Sequence, residues 1–377
     1  MSVFERPILE KNENKNNFHR HQKEDVSVMK INLEKQKFKI CDAKKTARGQ
    51  YNTEKSTWLY PQVVKFIQES NPKFIIDPFA GKGDLLNHIQ QLFPGFSVKG
   101  YDIDPKLGWE VNDSLIRIPP HQNALILTNP PYLANFSAKR KGVIDRVDKY
   151  YTRKYRSDLY QVAIDACLEN FSKIVAIIPE TVINSSYPLD NFVSISIIND
   201  LIFTDTEQPV VVACISRDWM KGPEIFQSDK FINSLSQINK LRDVPCKNIK
   251  ITFNDPSGQV GLRAVDLPSP DKRIAFMPSN VLKYNKNDIK HSSRLVTCVS
   301  IDGLDSEKTF DLCEIANQKL EQIRKMTEDV ILSPFKGNSK TGARRRRLDY
   351  SLARAILEKS FAELYNTKNF KKQMELF

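Results

Sequence analysis

The sequence has no Cys-x-x-Cys pair. Its six cysteines, Cys41, Cys167, Cys214, Cys246, Cys298 and Cys313, are scattered. That spacing indicates neither a structural zinc nor a disulfide framework, so reduced thiols of a cytoplasmic protein are expected. No apolar run approaches the roughly 20 residues needed to span a bilayer, and the Lys- and Asn-rich start does not read as a signal peptide. No internal repeat is present, which excludes a solenoid. His19 and His21 lie in a polar stretch without partner residues, so no metal site is expected. Acidic residues are in deficit, 45 against 57 Lys and Arg. The resulting net charge of +12 and pI near 9.2 favour a polyanionic partner, most simply nucleic acid, and no membrane.

At 377 residues the chain is long enough for a large core and two domains. Residues 1–43 are crowded with Lys, Asn, Glu and Gln and read as a polar extension. From residue 58 the pattern changes to short apolar runs alternating with amphipathic stretches. Helices are expected at 58–69, 82–92 and 157–171, and strands at 74–77, 97–103, 124–128 and 174–179. This rhythm predicts an α/β fold, a buried parallel sheet with helices on both faces. After Arg217 it breaks into short Pro- and Lys-containing segments that end in a helix at 349–365. A boundary is therefore placed between 44–216 and 217–377.

Asn129-Pro130-Pro131-Tyr132 follows the strand Ala124–Thr128. The two prolines fix φ and remove donors, so the turn is rigid and its carbonyls are free to accept. Tyr132 adds a flat π-face. Such a site suits a planar ring with an exocyclic amine, which donates to Asn129 and the backbone while the ring stacks. Taken alone, the tetrapeptide reads first as a proline-stiffened loop. A second signal, Asp77-Pro78-Phe79-Ala80-Gly81-Lys82-Gly83-Asp84, ends the strand at 74–77. Open α/β sheets bind ligands at such carboxyl ends, and Gly81 and Gly83 permit a tight turn with close backbone approach. A phosphate-binding P-loop is excluded, because the loop is too short, lacks Ser or Thr after Lys82, and puts the anion of Asp84 where phosphate would sit. Asp102 ends the next strand, where a carboxylate accepts ribose hydroxyls. Asp104, ahead of Pro105, reads as a helix cap.

The order of these motifs resembles that of the DNA adenine-N6 methyltransferases of restriction–modification type, with cofactor motifs first and target recognition last. The match runs from about 44 to 216. The resemblance implies a Rossmann-like sheet using S-adenosylmethionine, followed by a C-terminal α+β target-recognition domain at 217–377. It places Asp77 near the cofactor ammonium, against a loop formed by Phe79, Ala80, Gly81 and Gly83. Asp102 would hold the ribose, and Ile103 would pack on the adenine. Asn112-Asp113-Ser114-Leu115 supplies Asp113 as acceptor for the adenine amine, with Ser114 where an aromatic is common. Gly49-Gln50-Tyr51-Asn52-Thr53 matches the motif in which Tyr51 and Thr53 close over the methionine carboxylate. Asp158-Leu159-Tyr160 matches a further motif, and also reads as a helix cap followed by two core residues. Leu201–Phe203 and Pro209–Ile215 are expected to close the sheet as a hairpin, with Phe203 the nearest candidate for a second aromatic in the target pocket. The catalytic turn would be Asn129, Pro130, Pro131 and Tyr132, with Tyr132 stacking on a flipped adenine.

Lys139, Arg140 and Lys141 open a basic, Tyr-containing run between Tyr132 and Asp158, suited to phosphate contacts. Residues 217–377 carry 29 Lys and Arg against 20 Asp and Glu. Arg344, Arg345, Arg346 and Arg347 at a helix entrance are expected on phosphates or guanine edges. The reading is a monomeric, site-specific methyltransferase of double-stranded DNA, paired with a cognate restriction endonuclease. RNA adenine methylation, glutamine-amide methylation and a non-catalytic nucleic-acid-binding module are the alternatives.

Overall fold

Four runs rich in β-branched residues, Phe74–Asp77 (β1), Ala124–Thr128 (β4), Lys173–Pro179 (β5) and Val210–Ser216 (β7), form the middle of a nine-stranded sheet. In the computed structural model, residues 57–152, 156–199, 208–243, 249–267, 272–291, 293–335 and 344–365 are described. The strand order is β3-β2-β1-β4-β5-β7-β6-β8-β9, with β2 at Ser97–Asp102 and β3 at Glu110–Val111. Strands β1 to β5 pair in parallel, while β7 runs antiparallel between β5 and Phe192–Ile197 (β6). This is a mixed, mostly parallel Rossmann-like sheet, and the direction of chain progression reverses between β1 and β4. Parallel strands covered on both faces read as continuous apolar runs, and residues 125–128 of β4, parallel to both its neighbours, are all buried.

Helices flank the sheet. Pro61–Ser70 (α1) starts on a proline, whose fixed φ suits a first turn, and ends on Asn71 at φ 40°. Asp84–Leu92 (α2) is entered through Gly83 at φ 84°. Asn135–Arg140 (α3) and Ile144–Val147 (α4) are short, and Leu159–Asn170 (α5) leads into β5. The partner of β7 differs from the expected hairpin strand. It is Phe192–Ile197, whose Ser194 and Ser196 are nevertheless buried. Ser196 Oγ accepts from Gln62 Nε2 at 2.7 Å, so its hydroxyl is satisfied inside the core. The expected strand Leu201–Phe203 lies outside the described residues.

The sheet extends beyond residue 217 through Glu224–Gln227 (β8) and Lys230–Ser234 (β9), followed by helix Leu235–Lys240 (α6). A second, antiparallel sheet then forms from Ile251–Phe253 (β10), Val260–Arg263 (β11), Ala275–Pro278 (β12) and Val296–Ile301 (β13), in the order β10-β13-β11-β12. Thr309–Thr327 (α7) and Tyr350–Leu364 (α8) pack on each other, and α7 also packs on β12. Between them, Ser333–Pro334 (β14) pairs with Arg346–Arg347 (β15). One apolar core runs continuously from Ile76 through Ile215 to Leu262, Leu312 and Ile356. Among the described residues no helix is long and apolar enough to cross a membrane.

Candidate active site

The point where strand order reverses brings the two principal motifs together. Thr128, the last residue of β4, donates its hydroxyl to Asp77 Oδ1 at 2.7 Å. The Phe79 amide donates to the same oxygen at 3.0 Å. Asp77 is 1 % exposed. Burial is the main cause that pushes its carboxyl up to about 7, and the neighbouring Asp102 adds to it. Asp77 therefore keeps part of its proton at neutral pH unless a cation stands beside it.

Asp102 holds the glycine loop. Its Oδ2 accepts from the Gly81 amide at 2.9 Å, and its Oδ1 accepts from the Asp104 amide at 2.9 Å. Ala80 donates to the Tyr101 carbonyl at 2.9 Å. Gly81 sits at φ 55° and Gly83 at φ 84°, both left-handed. Trp109, which the sequence motifs do not include, packs against this loop and donates Nε1 to the Gly81 carbonyl at 2.9 Å. A Cβ on Gly83 would lie 2.8 Å from its ring, and one on Gly100 would lie 2.5 Å from it. No motif or periodicity marks Trp109 in advance. Beside Asp102, Ile103 is 54 % exposed, an apolar side chain without a protein surface to cover it. Asp104 accepts from the Lys106 amide and caps the following turn as expected.

Asp113 is engaged by the basic run: its Oδ2 accepts from the Tyr150 hydroxyl at 2.8 Å and from Lys149 Nζ at 3.2 Å. Tyr150 is buried with Leu115, Leu133, Ala138 and Leu159, and Phe79 of the glycine loop packs on that cluster. The described part of the run, α3 and α4, is thus a folded cover beside the Asn129 turn, with Lys139, Arg140 and Lys141 on its exposed side.

The Asn129 turn is tied down from both ends. The Tyr132 hydroxyl bonds to the Ile177 carbonyl at 2.7 Å and contacts Asn129 Oδ1. Tyr132 is 7 % exposed and belongs to the core, so its ring is less open than the sequence suggests. Asp158 caps α5 in a reciprocal box with Gln161, and its Oδ1 also accepts from the Leu133 amide at 2.9 Å. Burial pushes the Asp158 carboxyl up to about 7. Leu159 and Tyr160 are buried, as a cap-plus-core reading requires.

The arginine run corrects an expectation. Arg346 is 4 % exposed and pairs with Glu180 Oε1, while Arg344 Nη1 lies 2.8 Å from Glu180 Oε2. These two guanidiniums face inward and are not available to phosphates, because Glu180 is itself 1 % exposed and needs them. Arg345 lies over the Phe335 ring at 5.1 Å, and Arg347 is half-buried in β15. Tyr51, Thr53 and Phe203 lie outside the described residues. A cleft of about 580 Å³ opens among Asn71, His121, Asn123, Asn170 and Lys173. It lies at the amino ends of β1, β4 and β5, away from these motifs, where sheets of this kind do not place their ligands.

No protein-family model and no curated protein matches the sequence. Among solved structures, the chain is similar to the type I restriction-modification system methyltransferase subunit from Streptococcus thermophilus at 15% identity and a TM-score of 0.35, covering 51% of this chain and 52% of that one. It is also similar to TrmN from Thermus thermophilus at 15% identity and a TM-score of 0.27, covering 41% of this chain and 47% of that one. The chain thus spans about half the length of each of these structures. The fold assignment rests on strand order and register.

Proposed function

We propose that the protein is an S-adenosylmethionine-dependent methyltransferase acting on the N6 amine of adenine in double-stranded DNA, within a restriction–modification system. The observation that carries this reading is the Thr128–Asp77 hydrogen bond, which sets the Asn129 turn beside the glycine loop at the switch point of the sheet. The residues present fit the cofactor. Among the described residues both hydrogen bonds on Asp77 fall on Oδ1, so Oδ2 is the oxygen proposed for the ammonium. Asp102 takes the ribose hydroxyls while its backbone bonds keep the loop in place. Exposed Ile103 gains a partner in the adenine ring, and Asp113 shares its carboxylate between the adenine amine and Tyr150.

The cofactor, held by Asp77, Asp102, Ile103 and Asp113, would supply a sulfonium methyl to the amine nitrogen, with its thioether as the leaving group and the amine proton passing to water. The protein positions the amine. Before a base enters, the Tyr132 hydroxyl lies against Asn129 Oδ1 and the Ile177 carbonyl, so the turn holds its acceptor in place until Tyr132 moves. Once Tyr132 turns toward the base, Asn129 Oδ1 and the Pro130 carbonyl would accept the two amine protons and orient the nitrogen lone pair for transfer. Catalysis is then positioning and electrostatics. The paired base must leave the duplex to reach the turn, with Tyr132 turning out to stack on it. Residues 217–377 form the recognition region in this reading, the enzyme works as a monomer, and a cognate endonuclease shares its site.

The test offers DNA, RNA and protein in parallel with tritium-labelled cofactor, and sequences the labelled DNA for modified adenine. Asn129→Ala is expected to lose at least a hundredfold in turnover while binding cofactor and DNA normally. Near-normal turnover in that variant, or label on RNA or protein alone, overturns the reading.

A further inference from the structure

We infer that Phe136 is a wedge that enters the base stack at the target position, with Lys139 and Arg140 on the flanking phosphates; this rests on the reading of the Asn129 turn as a DNA-methylating site. Phe136 is 75 % exposed, the most exposed large apolar side chain among the described residues. A single exposed apolar residue needs no explanation by itself. The setting of this one supplies it.

Phe136 lies four residues past Tyr132, at most about 14 Å along an extended chain, a few base-pair steps. Its helix is anchored rather than loose. The Leu133 amide donates to Asp158, the Asn135 amide donates to the Ser157 carbonyl at 2.9 Å, and Ala138 is fully buried on the inner side. Positions three and four apart share a helical face, so Phe136, Lys139 and Arg140 stand together on the opposite, exposed side. The surface therefore presents one phenyl ring flanked by cations, on a rigid base, next to the turn that receives the amine. An extruded base leaves an unstacked gap, and an inserted apolar side chain offsets part of that unstacking. The flanking cations select a phosphate-lined partner over an apolar protein surface.

The test uses a synthetic duplex carrying the site found by sequencing methylated DNA, with 2-aminopurine replacing the target adenine to report extrusion. Turnover is read on the matching adenine duplex. Because Phe136 is exposed, Phe136→Ala should keep its melting temperature and cofactor affinity. It should lose the fluorescence rise and at least tenfold in turnover on the paired duplex. Placing an abasic residue opposite the target, which removes the need to break a pair, should restore most of that turnover, and Phe136→Leu should fall between. Turnover and fluorescence within about twofold of wild type on the paired duplex would overturn the wedge, as would an equal loss on both duplexes. Absence of fluorescence change and of DNA methylation with wild-type protein would instead bring down the underlying reading, and the wedge with it.

Discussion

Asp77 shows how one buried carboxyl can turn a ligand site into a pH-dependent one. Burial raises it to about 7 from 3.8, so between those values the folded, ligand-free protein keeps a proton that the unfolded chain has lost. The stability this group contributes is fully present below about pH 3.8 and is lost as pH rises through about 7. A cation at Oδ2 reverses the preference, because it binds the carboxylate. Cofactor affinity should therefore fall as pH drops below 7, by up to about tenfold per unit, with proton release on binding. Calorimetry at pH 6 in buffers of different ionisation enthalpy would measure that release. Asp77→Asn should bind more weakly at pH 8 and show a flat profile between pH 6 and 7.5. Persistence of the wild-type slope in that variant would remove Asp77 from the cation site.

At the scale of the element, Asp158 joins two functions that sequence reading kept apart. It caps α5 and holds the Leu133 amide at the exit of the Asn129 turn. Asp158→Ala should lower unfolding free energy by about 1–2 kcal/mol, the usual range for a lost cap, and reduce turnover because the turn loses its clamp. Asp158→Asn keeps the acceptor and should be much milder in both, as urea titration and tritium transfer would record. Loss of stability with unchanged turnover would confine Asp158 to capping. The elements also show which signals a sequence carries. Strands β1, β4, β5 and β7 were legible because burial on both faces makes them continuously apolar. Strand β6 was not, because Ser194 and Ser196 imitate a solvent face. Their burial depends on packing and, for Ser196, on a bond to Gln62, 134 positions away. The meeting of Asp77, Gly81, Asp102 and the Asn129 turn at neighbouring strand ends was legible through local motifs. Trp109 was hidden, because what it does depends on glycines that reach it only after folding.

Part of the molecule's positive charge serves cohesion and, in the proposed reading, part serves contact with DNA; the sequence alone does not say which arginine does which. In sequence Arg344 and Arg346 read as contacts to phosphates or guanine edges because their partner, Glu180, lies 166 positions from Arg346. In the fold that carboxylate, at the carboxyl end of β5, fastens β15 and the lead into α8 to the large sheet. Removing Glu180 as Glu180→Ala leaves two inward guanidiniums beside no anion, a change that destabilises by about 3–5 kcal/mol in comparable buried pairs. Neutralising Arg344 and Arg346 together should likewise lower the melting temperature while leaving the salt dependence of DNA affinity unchanged. Replacing Lys139, Arg140 and Lys141 by Gln should do the reverse. Melting should hold, and the log–log slope should fall by about 0.9 for each phosphate left without its cation, up to about 2.7 for all three. Fluorescence anisotropy from 50 to 300 mM salt, alongside thermal unfolding, separates the two groups. A flattened slope for the Arg344 and Arg346 variant with intact melting would place those side chains on DNA and refute their role as an internal fastening. An unchanged slope for the Lys139–Lys141 variant would take the cover beside the Asn129 turn off the phosphate backbone.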